Sequence, residues 1–341
     1  MLKSHQLFSR AALLFVILVG CGVVASFGQV LSQDGAADKL RSVGEEFESA
    51  RSDKYTGGRI LRGTLVAGEP DIEITVDVPA FRLTLWQNGK EIKTYPIGVG
   101  RKDYPISIGE RRATEVIWNP SWIPPASDWV EGMKTVKAGE VITAGDSRNP
   151  LGKLKIPLGY GYLIHQAAKP TDLGNLVSHG CVRVLQADLY DLAEKIVAAR
   201  SAPITSGQIA RAKRGTKSVT AQLDPPLPVF IHYDTVVVEG GVLSIYPDVY
   251  ERDTNTIENL HAELEENGVD ASRLSNATLK AMIARARAEQ KFVVSLKSIE
   301  RGRALTDGRS LPVIGSSAAT QRPQKPVAAA ASAKPRAVAK R

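Results

Sequence analysis

Residues 178–183 read SHGCVR, and they hold one of only two cysteines in 341 residues. In an extended segment residues i and i+2 share a face, so His179, Cys181 and Arg183 project together while Val182 and Val184 turn inward. Directly after them, LQADLYDLAEKIVAAR (185–200) repeats Leu185, Leu189, Leu192 and Ile196 at helical spacing. The stretch therefore reads as a strand feeding an amphipathic helix. An ordinary thiol has a pKa of about 8.5, and a neighbouring imidazolium or guanidinium lowers it toward the nucleophilic thiolate. Gly180 leaves room for a substrate backbone. The N–H groups around Gly180 and Cys181 can donate to an oxyanion. Acyl transfer on a cysteine needs this set of groups. The competing reading is a small core cysteine beside a structural histidine.

Outward from this stretch the pattern is mostly strand. DIEITVDV (71–78) alternates apolar and polar residues, and FRLTLWQNGKEIKTYPIGVG (81–100) carries Asn88-Gly89 between two alternating runs, a hairpin signal. Trp118, Trp122 and Trp129 fall among prolines in IWNPSWIPPASDW (117–129), which excludes a helix. They read either as a rigid aromatic wall or as a plug at the end of a sheet. NPLGKLKIPLGYGYLIHQ (149–166) is further strand with Gly/Pro turns, ending on His165 and Gln166. Residues 201–228 read as a loop, and 228–247 as a hairpin turning at Gly240-Gly241. Two amphipathic helical stretches follow in 255–297. From about residue 303 the chain is Ala, Pro, Ser and Lys, with too few large apolar groups to fold.

Charge narrows the partners. Residues 301–341 carry nine Lys and Arg against one acid, Asp307, which accounts for the whole formal net charge of +8. The basic excess is a tail and not a binding face on the folded part, so nucleic acid is not an expected partner. The tail reads as a solvated end or as an electrostatic tether to anionic envelope polymer. At the other terminus, Lys3 and Arg10 precede the apolar run AALLFVILVGCGVVASFG (11–28), the pattern of an export signal. Three readings stand side by side: a lipobox at Leu18–Cys21 that lipidates Cys21, ordinary cleavage after Gly28, or a retained membrane anchor. Each exports the chain to the periplasm or cell envelope. If Cys21 is removed or lipidated, Cys181 lacks an internal disulfide partner. No CxxC or HExxH occurs, and one Cys with scattered His makes a poor zinc set, so neither metal nor cofactor is expected.

These residues resemble the L,D-transpeptidase (YkuD-type) catalytic domain, whose signature is a His followed by Ser/Thr-His-Gly-Cys. Here that is His165, then Ser178-His179-Gly180-Cys181-Val182-Arg183. VDVPAFRLTLW (76–86), YPIGVGR (95–101), WNPSWIPP (118–125) and NPLGKLKI (149–156) also follow the family's course. The likeness covers residues 71–201, and the hairpin at 227–253, ending DVYERD, resembles an extension of larger members. Two positions depart from it: Ile106-Ser107-Ile108-Gly109 replaces a Thr-Pro before Gly, and Gln166 replaces a Gly after the first His.

The resemblance implies a mainly β catalytic domain, sandwich- or barrel-like, with a helix after the catalytic strand and a C-terminal helical segment. The chain then divides into a signal or anchor (1–28), linker (29–70, with a short helix near 38–49), catalytic domain (71–201), loop and hairpin extension (202–254), helical segment (255–300) and basic disordered tail (301–341). It implies Cys181 as nucleophile, His179 as base, Ser178 orienting His179 through its backbone carbonyl, and Gly180 as the fourth residue of the catalytic set. His165, Arg183, Gln166 and Trp122 would bind substrate, a peptidoglycan stem tetrapeptide that loses D-Ala to a thioester on Cys181. The acceptor is an amine of another stem or of an envelope lipoprotein. Two rivals remain: water as acceptor, giving an L,D-carboxypeptidase or cross-link hydrolase, and a non-catalytic wall-binding protein.

Overall fold

Alternating strands build most of the molecule. The computed structural model describes residues 72–314, which fall within one unit of the chain. The expected signal or anchor with Cys21, the linker, Asp71 and residues 315–341 of the tail lie outside the described residues. β1 (Ile72–Asp77) buries Ile72, Ile74 and Val76, and β2 (Arg82–Gln87) turns into β3 (Lys90–Gly100) at Asn88-Gly89. Both turn residues have positive φ, 51° and 70°, which Asn and Gly accept at little cost. Then come β4 (Gly109–Trp118), α1 (Asp128–Glu131), β5 (Leu154–Pro157), β6 (Leu163–Gln166), β7 (Leu176–Ser178), β8 (Val182–Val184), α2 (Gln186–Ala199), α3 (Ser206–Arg214) and β9 (Val219–His232).

These strands form one sheet in the order β2-β1-β9-β4-β5-β6-β8-β3-β7, and a further β2–β3 pairing closes it into a barrel with β7 outside the ring. The mainly β fold is as expected, and of the two forms considered it is the barrel. Its core gathers Val76, Leu83, Ile97, Trp118, Ile156, Val182 and Val184, with Leu189, Leu192 and Ile196 from α2. Of the three tryptophans, Trp118 is therefore the plug.

The stretch 201–228 is not a plain loop. It holds α3, capped by Thr205 and Gln208, and the first half of β9. α3 escapes pattern reading because it buries only Ile209 and Ala212. β9 escapes it because Pro225 and Pro226 interrupt it where the β4 ladder skips from Gln222 to Leu227, a bulge that tolerates missing donors. A second, antiparallel sheet joins β10 (Val236–Glu239), β11 (Val242–Ile245), β12 (Gln290–Ser295) and β13 (Arg309–Pro312). α4 (Ile257–Glu266), α5 (Asn276–Ile283), α6 (Leu296–Glu300) and α7 (Ala304–Asp307) accompany it around a core of Leu243, Ile245, Leu260, Leu264, Met282 and Phe292. The Gly240-Gly241 hairpin belongs to this sheet, and β12 lies inside the segment expected to be all helical. Residues 301–314 are folded, against expectation: Arg285 holds the Leu305 and Gly308 carbonyls at 2.9 Å each, and Val313 and Ile314 pack on the barrel core.

Candidate active site

β6 and β8 run parallel, with His165 beside Arg183 and Ile164 beside Val182. Val182 and Val184 are fully buried, so strand alternation sends Arg183 and the flanking Cys181 to the opposite face. Burial pushes the Cys181 thiol up; a hydrogen bond from the Leu163 backbone and the Arg183 charge pull the other way without reversing it. The expected lowering of the thiol is thus outweighed by desolvation. Arg183 is half-buried and its Nε has no partner among the described residues. His165 is buried, its Nδ1 is also without a partner, and burial followed by Arg183 drives its pKa far down, so it is neutral.

SHGCVR is not one extended run. β7 and β8 both pair with β3, on its two sides, and the chain between them bends over the end of β3. The bend is at Gly180, φ 102°, where a Cβ would come within 2.7 Å of Tyr162 Cε1. A Cβ on Gly100 would meet the Tyr104 carbonyl at 2.2 Å and Gly180 Cα at 2.9 Å, so β3 must end in a residue without one. Ser178 clasps the bend: its hydroxyl donates to the Cys181 carbonyl at 2.6 Å, and its own carbonyl accepts from Arg101 N–H at 2.9 Å.

His179 stands in an aromatic and cationic frame. Trp129 lies flat on its ring, centroids 4.3 Å apart and planes 12° from parallel, and Trp122 continues the stack at 6.2 Å. Tyr104 meets the ring edge-on at 4.7 Å. Arg101 Nη2 donates to His179 Nε2 at 2.6 Å, so Nε2 is the unprotonated nitrogen and the neutral ring carries its proton on Nδ1. Burial, then Arg101 and Arg183, holds His179 below its ordinary pKa. Among the described residues, the hydrogen-bond partner of this ring is Arg101 and not Cys181.

The loop bearing Arg101 and Tyr104 is tied at both ends by Tyr250, whose hydroxyl donates to the Gly100 carbonyl at 3.0 Å and accepts a longer contact from Ile106 N–H at 3.4 Å. Tyr250 is itself stacked on Tyr233, whose hydroxyl donates to Asp248 and accepts from Tyr250 N–H.

His179, Cys181, Arg183 and His165 therefore come together, and Ser178 and Gly180 shape the bend that joins them. Trp122 sits one ring behind, buried in a small separate core with Val130, Val136, Ile142 and Leu151. Gln166 is folded against Gly152, its amide oxygen accepting from Lys153 N–H at 2.9 Å. Sequence reasoning gave no role to Arg101, Tyr104 or Tyr250, although YPIGVGR ends on Arg101 and DVYERD contains Tyr250. No cluster of three or more His, Cys, Asp or Glu side chains among the described residues could hold a metal ion.

The family model of the YkuD L,D-transpeptidase catalytic domain matches residues 71–247. The chain is 28% identical over 130 residues to "Probable L,D-transpeptidase YbiS" of Escherichia coli K12, covering 36% of this chain and 41% of that protein. It is 28% identical over 145 residues to "Probable L,D-transpeptidase YcfS" of the same strain, covering 39% and 43%. The match thus spans less than half the length of these curated relatives. Among solved structures, an L,D-transpeptidase from Mycobacterium smegmatis aligns over 48% of this chain and 59% of its own at 14% identity, with a TM-score of 0.30. L,D-transpeptidase 3 from Mycobacterium tuberculosis, with a faropenem-derived adduct, gives 15% identity over 48% and 60%, TM-score 0.29. Likenesses at that level carry no argument. The family match does, because it takes in more than half of the chain and the whole bend from β7 to β8: the chain belongs to the YkuD family of L,D-transpeptidase catalytic domains.

Proposed function

We propose that the protein is a cysteine acyltransferase of the cell envelope that acts on peptidoglycan stem tetrapeptides. The observation that carries this reading is the Gly180 bend, which bears His179 and Cys181 on its two sides within a domain of this family. Cys181 Sγ attacks the carbonyl carbon of stem residue three while His179 Nε2 accepts the thiol proton. The C–N bond to the terminal D-Ala breaks, His179 returns the proton to the departing amine, and a thioester is left on Cys181. The N–H groups of Gly180 and Cys181 hold the oxyanion. An incoming amine then attacks the thioester carbonyl, and its proton passes through His179 to the leaving thiolate. The new amide is a 3→3 cross-link or an attachment to an envelope lipoprotein. Arg183 and His165 line the acyl pocket, with Trp129 as its wall and Trp122 backing Trp129 from the core. Export to the periplasm and attachment through the N-terminus, by lipidated Cys21 or a retained anchor, belong to the same proposal.

Incubation with tetrapeptide muropeptides and sacculi tests it. The expected products are free D-Ala with 3→3 dimers or a peptide-linked acceptor, and none from Cys181→Ala. Shortened stems alone would make water the acceptor. D-Ala release by Cys181→Ala at the wild-type rate would overturn the reading.

A further inference from the structure

As the side chains lie, His179 has no lone pair to offer. Nδ1 carries the proton, and Nε2 is occupied by the Arg101 guanidinium at 2.6 Å. For the ring to act as a base, Arg101 has to leave. Its side chain is exposed and makes no ion pair among the described residues, and its other contact is the face of Tyr104, 5.4 Å to the ring centroid. The neighbouring Lys102 is paired with Glu251 instead. The backbone beneath Arg101 is pinned by Ser178, by the Tyr104 N–H to its own carbonyl at 3.0 Å, and by Tyr250 at the loop ends. Only the side chain needs to move.

A single neutral imidazole nitrogen is a poor partner for a guanidinium, which matches a carboxylate with two parallel, charge-assisted hydrogen bonds. The surroundings favour an anion. Arg183, the cation beside the thiol, also makes no ion pair among the described residues, and the acid that acts on it, Asp172, has Oδ2 committed to the Ala168 and Lys169 N–H groups. Two guanidinium groups thus act on the His179 ring, and neither is ion-paired to a carboxylate among the described residues.

We propose that Arg101 is a carboxylate-reading latch: the free C-terminal carboxylate of a donor peptide draws its guanidinium off His179 Nε2, so the base is freed only when a donor ending in a carboxylate is bound. The identity of that donor rests on the function proposed above; the latch rests on the Arg101–His179 contact. It makes Arg101 a specificity determinant that rejects donors whose C-terminus is blocked.

The test compares a stem tetrapeptide with its C-terminal carboxamide. Wild type should favour the acid by about 10- to 100-fold in kcat/KM, the range one charge-assisted pair supplies. Arg101→Ala should bring the two donors near equality, by raising kcat for the carboxamide, whose base is no longer covered, and by raising KM for the acid, and Arg101→Lys should fall between. In parallel, the His179 ring is titrated by NMR in Cys181→Ala, where nothing turns over. Adding the acid peptide should raise the His179 midpoint and adding the amide should not, while in Cys181→Ala/Arg101→Ala the midpoint should start higher and not respond. An unchanged acid-to-amide ratio in Arg101→Ala overturns the latch. Should wild type release D-Ala from neither donor, the proposed function falls, and the NMR arm decides the latch alone: a midpoint that ignores the acid peptide rejects it.

Discussion

Trp129 lies face to face with His179, ring centroids 4.3 Å apart and planes within 12° of parallel. The stack holds the imidazole in one orientation, and in the proposed reaction the indole face would stabilise the ring in the step where it becomes an imidazolium. A cation over an aromatic face is worth roughly 0.5–2 kcal/mol, which corresponds to about 2- to 30-fold in rate. Trp129→Leu should lower kcat within that range, and Trp129→Phe less. Because Trp129 is half-buried on a four-residue helix, the melting temperature should hardly move.

The thiol and the imidazole are displaced in opposite directions: burial raises Cys181, while burial and the two arginines lower His179. Both shifts favour the uncharged forms, so the resting pair is thiol and neutral imidazole across the neutral range and not thiolate and imidazolium. Iodoacetamide alkylation of Cys181 followed against pH should show one rising limb centred above the ordinary thiol value of about 8.5. A plateau of rapid alkylation between pH 6 and 8, on the order of what a preformed thiolate gives, would contradict this.

Gly180 and Gly100 should tolerate no side chain. Gly180→Ala asks an L-residue to hold φ 102° against Tyr162, and Gly100→Ala drives a methyl into the Tyr104 carbonyl and Gly180 itself. Overpacking of this kind costs about 1–3 kcal/mol. Both variants should melt lower by that amount, Gly100→Ala more, and lose D-Ala release out of proportion to their stability, since the bend that aims His179 and Cys181 is displaced.

Tyr250→Phe removes one oxygen and unties the loop that carries Arg101 and Tyr104. Leaving Gly100 O and Ile106 N unpaired should cost about 1–3 kcal/mol in urea unfolding. A purely structural loss would stop there. A loosened Arg101 should also shift the pH dependence of Cys181 alkylation, and an unchanged pH profile would show that the clasp does not reach His179.

Local pattern was enough for the parts of the fold that local chemistry dictates. Asn88-Gly89 makes its hairpin because both residues accept positive φ, and Leu189, Leu192 and Ile196 line one buried face of α2. The same reasoning failed where tertiary contacts decide. β12 (QKFVVS) comes one short turn after the helix α5, and β13 is tied back to Arg285, whose carbonyl accepts from the Ser310 hydroxyl 25 positions away. Extending the alternation of β8 back through Gly180 was also misleading, because a glycine at φ 102° breaks the two-residue period. The SHGCVR motif was legible because it is contiguous. Arg101, 78 positions from His179, was not, because it arrives there only through the pairing of β3 with both β7 and β8.

The proposed chemistry turns on a thioester at Cys181, which intact-mass spectrometry of the protein quenched during incubation with a stem tetrapeptide would detect. The expected species is an adduct of the stem tripeptide acyl group, lacking D-Ala, which maps to Cys181, is released by hydroxylamine and is absent from Cys181→Ala. Turnover with the adduct on another residue, or an identical adduct in Cys181→Ala, would contradict it.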